Sequence, residues 1–106
     1  MTYRVVLTAR AECDRDAAFA WYTDSYSFDF AVRWYVGIMQ AVRNLSLNPQ
    51  QCGVAHENDK FPFEVRELLH GARRRKHRVL FTIHDDLVLV LHIRHSAQRD
   101  LTSEDL

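Results

Sequence analysis

From Val79 to Ile93 one parity of the chain is apolar except at the Asp85 turn: Val79, Phe81 and Ile83, then Leu87, Leu89, Leu91 and Ile93. Period-two alternation marks strands with one buried face, so some other part of the chain must cover that face. The cover is legible upstream. Ala31, Trp34, Tyr35, Ile38, Val42 and Leu45 fall at i, i+3, i+4, i+7, i+11 and i+14, one apolar stripe along a helix that Ser27 opens and Asn48-Pro49 stops. The stripe predicts that Trp34 and Tyr35 pack against the sheet, with Phe81 buried beneath them.

The rest of the chain fits around this pair. Tyr3 to Thr8 reads as a first strand, and Ala11 to Ser25 favours a helix with Glu12, Asp14 and Asp16 near its positive end. A short connection at Asp24 to Ser27 makes the two helices an antiparallel hairpin. Gln50 to Lys60 reads as a loop, Phe63 to Leu69 as a second strand and His70-Gly71-Ala72 as a turn. His77 to Ile83 and Leu87 to Arg94 are the last strands, hinged at His84-Asp85-Asp86. The order β-α-α-β-β-β predicts an α+β fold, with the helix hairpin on one face of a twisted, mainly antiparallel four-stranded sheet. At 106 residues, with no repeat or linker, residues 1–106 make one domain, of which 99–106 are an acidic tail.

Several chemistries are excluded. The longest aliphatic run, Leu87 to Leu91, is too short for a bilayer, and the chain enters its first strand without a signal-peptide pattern, so a cytoplasmic protein is expected. Cys13 and Cys52 lack metal-ligand spacing and read as reduced thiols. His92-Ile93-Arg94-His95 and His70…His77 lack the spacing of zinc sites. Three scattered glycines form no phosphate loop, and there is no nucleophile elbow. No metal and no cofactor are expected.

Charge is balanced overall but not evenly placed. Residues 1–59 carry a net of −2, Lys60 to Arg99 a net of +5 and Asp100 to Leu106 a net of −3. The basic part includes the run Arg73, Arg74, Arg75 and Lys76, suited to an anionic partner. A three-residue turn at His84-Asp85-Asp86 would pair Ile83 with Leu87, setting Arg78 opposite His92 and diagonal to Arg94. Glu64 and Arg66 share a parity and can lie beside Arg78. Arg66, Arg78, His92 and Arg94, with Glu64 at the edge, would then form a patch on the sheet face away from the helices. Guanidiniums on a rigid sheet suit phosphate, and a nearby His or Glu can move a proton. The same residues also suit an ordinary solvated sheet face, and spacing leaves both readings open.

The runs Phe63 to Gly71, His77 to Ile83, Asp85-Asp86 and Val88 to His95 resemble the RelE/ParE superfamily, the toxins of bacterial type II toxin–antitoxin modules, often labelled plasmid stabilisation proteins. The likeness extends over about Tyr3 to Arg99, through the element order and the Trp-bearing second helix ending in Asn-Pro. It implies a cytoplasmic, growth-inhibiting protein neutralised by a small antitoxin encoded beside it. RelE-like members cut mRNA on the ribosome without metal, whereas ParE-like members poison DNA gyrase. Position by position, Arg78 resembles the arginine opening the third strand of the ribonucleases, and Arg94 the basic residue ending their last strand. Glu64 and Arg66 fall where RelE has Lys-x-Lys, so one basic residue has become an acid. After Arg94 the ribonucleases often place a Tyr or His-Tyr. This chain reads His95-Ser96-Ala97-Gln98-Arg99-Asp100, similar to ParE-like endings. The resemblance thus implies a ParE-like poison, with two alternatives: a ribonuclease using Glu64, His92 or His95 as base or acid, or an inactive relative that keeps antitoxin binding.

Overall fold

The computed structural model describes residues 2–71 and 76–95. Its elements run β1 (Arg4–Leu7), α1 (Ala9–Ser25), α2 (Phe28–Asn44), β2 (Arg66–His70), β3 (His77–His84) and β4 (Leu87–His95), in the expected β-α-α-β-β-β order. Strand order in the sheet is β1-β4-β3-β2. β1 pairs parallel with β4, and the other two pairings are antiparallel. The fold is α+β, and the sheet is mixed.

Local chemistry sets the helix starts. Thr8 caps α1, its hydroxyl accepting from Ala11 N–H at 3.1 Å and donating to the Val90 carbonyl at 2.9 Å, so one side chain ties the helix start to β4. Ser27 caps α2 through Phe30 N–H at 3.1 Å. Ile38 and Val42 of α2 meet Val79, Phe81, Val88, Val90 and Ile93 in the main core, as the stripe requires. Trp34 packs against that core but is only half-buried. Tyr35 turns elsewhere, edge-on to Phe19 of α1 at 5.8 Å, with the Arg15 guanidinium over its ring at 5.2 Å.

The β3–β4 register differs from expectation at two places. The β3–β4 turn has two residues, Asp85-Asp86, with His84 opposite Leu87 and Ile83 opposite Val88. Asp85 takes the left-handed conformation (φ 54°) that a short acidic side chain tolerates. A bulge at Leu80/Phe81 then lets Val90 face Phe81 and His92 face Leu80, leaving Leu91 as the extra residue. Val88 and Val90 therefore point into the core in place of Leu87 and Leu89, while Leu91 joins Ala55, Val65, Leu80 and Phe61 in a second cluster. β4 is apolar on both parities, so alternation alone does not choose its inner face.

β2 starts later than expected, at Arg66, and Phe61 to Val65 runs as irregular chain. The segment read as a plain loop carries two 3-10 turns, Pro49–Gln51 and Asn58–Lys60, and a single bridge from Val54 to Arg66. It folds over the sheet face away from the helices, where Ala55 and Val65 cover Leu80. That face is therefore not an open solvated surface.

Candidate functional site

Beneath that covering segment lies the residue on which the expected patch was centred. Arg78 pairs directly with Arg94 across the β3–β4 ladder, not with His92. Both arginines are buried. Arg78 Nη1 donates to Glu57 Oε2 at 2.9 Å, Nη2 to Glu57 Oε1, and Nε to Glu67 Oε1. Glu57 comes from the covering segment and is fully buried; Glu67 comes from the neighbouring strand and reaches water. The hydrogen bonds that Arg78 donates to Glu57, reinforced by Glu67, hold its pKa above its already high ordinary value although burial opposes this. Arg78 is a fixed cation with its donors engaged by carboxylates.

The other expected members divide. Arg66 lies opposite Phe81, on the other face of β2 from Glu67, because the strand register is one residue away from the expected one. Its guanidinium pairs with Glu64 at 3.0 Å and donates to the carbonyls of Gln50 at 3.2 Å and Cys52 at 2.6 Å, pinning the covering segment. Glu64 and Arg66 are thus a pair of their own and not neighbours of Arg78. His92 is buried opposite Leu80, its Nδ1 at 3.7 Å from Asp14 Oδ2, outside hydrogen-bond reach. His95 pairs with His77 at the open end of β4. Lys76 is exposed, and Arg73, Arg74 and Arg75 lie outside the described residues, as do 96–106.

A cleft of about 540 Å³ separates α1 from the end of β4, lined by Arg10, Asp14, Trp21, Tyr22, His77 and His95 among others. β1 ends at Leu7, so among the described residues no strand flanks β4 beyond Val90 on that side. Side chains of the α1 region take over the backbone there: Thr8 Oγ1 donates to the carbonyls of Val90 and Leu91, and Asp14 Oδ2 accepts from Ile93 N–H at 3.1 Å. Burial pushes the Asp14 carboxyl upward, but His92, the Ile93 N–H and Arg10 more than offset it, so its pKa lies below the ordinary value.

Sequence reasoning missed Glu57, Glu67, Asp14 and His77 as partners. Glu67 sat within an expected strand and its role follows from register alone, whereas Glu57 lies in a polar stretch with no periodic signal. Among the described residues no group of His, Cys, Asp and Glu is placed to hold a metal, and no helix is long and apolar enough to cross a membrane.

The comparisons with known proteins agree with this architecture. Residues 5–100 match the family model described as ParE toxin of type II toxin-antitoxin system, parDE. The chain belongs to the ParE toxin family. It is the toxin component of a type II toxin–antitoxin module, and the family implies an antitoxin as its partner. Among solved structures it is similar to a chain of the chromosomal ParDE TA system from P. aeruginosa, with 21% identity and a TM-score of 0.71 over 89% of this chain and 96% of that one. That likeness is one of fold. No curated protein matches the sequence.

Proposed function

We propose that this ParE-family toxin is a non-catalytic poison of DNA gyrase, acting in the cytoplasm and held in check by an antitoxin encoded beside it. The clamp on Arg78 carries the choice of mechanism. A ribonuclease of the RelE kind needs a preorganised cation aimed at the charge developing on the scissile phosphate. Here Glu57 already occupies both terminal nitrogens of Arg78 under a cover of chain, where a phosphate would otherwise bind. Glu64, the acid expected beside it, is engaged with Arg66 away from Arg78. A net charge of zero also suits a protein target better than ribosomal RNA, whose phosphates reward a basic surface.

Two purified assays test the reading. Added to DNA gyrase, the toxin is expected to abolish supercoiling and leave broken DNA. Added to translating ribosomes, it is expected to leave mRNA intact. Codon-phased mRNA cuts would overturn the proposal in favour of the ribonuclease. Unimpaired gyrase would overturn it too, whatever the ribosome assay gave.

A further inference from the structure

His77 opens β3 at the floor of the cleft and is only 3% exposed. Three rings enclose its imidazole: Trp34 of α2 with centroids 5.1 Å apart, Tyr22 of α1 at 5.8 Å, and His95 of β4 edge-on at 5.3 Å. Trp34 Nε1 stands 3.3 Å from His77 Nδ1, and Tyr22 Oη 3.5 Å from Nε2. An indole nitrogen only donates, so Nδ1 must present its lone pair. The proton then resides on Nε2, towards the Tyr22 hydroxyl, and the docked ring is neutral.

A charged imidazolium does not fit this arrangement. It would carry a hydrogen on Nδ1, directed at the Trp34 N–H, and the bond would become a contact between two donors inside a nearly dry site. Among the described residues, titratable groups approach the ring from three elements. α1 contributes Tyr22, Arg10 and Asp14, with Asp14 held by Arg10 at 3.0 Å and by the Ile93 N–H. β4 contributes His95 and Arg94, and β2 places His70 opposite His77 in the ladder. From α2 the contact is Trp34, which does not titrate.

We propose that His77 is an acid-sensitive latch: its neutral ring ties α1 and α2 to the start of β3, and protonation releases that end of the helix hairpin from the sheet. The sign follows from proton counting. The released chain takes up a proton that the docked ring refuses, so docking is complete above the ordinary imidazole range near ~6.5 and weakens as pH falls below it. The cleft between α1 and β4 has His77 as part of its wall, and its shape would change with the latch.

NMR of the full chain between pH 8 and pH 5 tests this, following the Trp34 indole N–H and the His77 ring carbons alongside urea unfolding at each pH. The expected result is an indole signal that holds above neutrality and is lost in acid together with protonation of His77. The unfolding equilibrium constant should rise by up to about tenfold per pH unit from this one proton. His77→Phe keeps a ring in the site and removes the proton, so it should flatten that slope by one proton. His84→Gln, at an exposed histidine, should not. An unchanged slope in His77→Phe would overturn the latch. If that variant does not fold, the parent protein decides alone: His77 titrating while the Trp34 signal stays in place would equally overturn it.

Discussion

Both carboxylate oxygens of Glu57 meet the two terminal nitrogens of Arg78, and neither side chain is open to water. A buried pair of this kind adds little net stability over an apolar pair, but losing one partner leaves the other charged and unsolvated. Arg78→Ala should therefore destabilise the toxin by about 3–5 kcal/mol. Arg78→Met combined with Glu57→Leu should recover most of that loss. Urea unfolding of both variants checks it, and a single substitution costing under ~1 kcal/mol would contradict the clamp. Any loss of toxicity in Arg78→Ala must be read beside this folding cost.

The central packing contact makes a second, independent prediction. Phe81 is fully buried in the cluster with Ile38, Val42, Val79 and Val90. Phe81→Ala should cost about 3–5 kcal/mol through lost contacts and the cavity left behind. The denaturant midpoint should fall at an unchanged slope, showing that stability and not compactness has altered.

Asp14 makes the toxin acid-sensitive well below the range of the histidine latch. Its folded pKa lies below the ordinary 3.8, so its contribution is fully present above about pH 4 and disappears as pH falls through the lower folded value. Asp14→Asn should destabilise the protein at neutral pH by about 1–3 kcal/mol, through the weakened bond to Ile93 N–H and the lost Arg10 pair. The difference in stability between parent and variant should hold above about pH 4 and shrink steadily as pH falls below it. A difference independent of pH would mean that the Asp14 charge contributes nothing.

Membership of the ParE family predicts behaviour in cells. Induction of this chain alone should arrest growth, and co-expression of the gene beside it should relieve the arrest. Unimpeded growth at confirmed expression of folded protein would instead match a relative that keeps antitoxin binding without toxicity. Viable counts after induction, with and without the neighbouring gene, distinguish these outcomes.

The fold was largely legible because its elements advertise themselves. The α2 stripe and the Ser27 cap are local signals, and both hold in the structure. The candidate patch was less legible because it depended on register. Counting a three-residue turn where Asp85 and Asp86 suffice moved β4 by one position, and the bulge at Leu91 restored the parity further on. Val79, Phe81 and Ile93 were thus expected on the correct face while Leu87 and Leu89 were not. Misplacing β2 by one residue likewise put Arg66 where Glu67 belongs, exchanging a cation for an anion beside Arg78. Glu57 offered no pattern to read. Its role arises from a long irregular segment folding back over the sheet, a tertiary event without periodicity.

The parallel pairing of β1 with β4 has a consequence for how this toxin comes into being. Arg4 lies opposite Leu87 and Leu7 opposite Val90, so strands from nearly opposite ends of the domain must meet before the sheet is complete. Pairings that close such long loops form late and slowly. The ribosome making this protein therefore releases β4 before β1 can find its place, and the finished toxin appears only after translation of its own message has passed the last strand. Completion of this sheet edge waits for the last strand, so β1, the first strand made, has no partner until β4 exists.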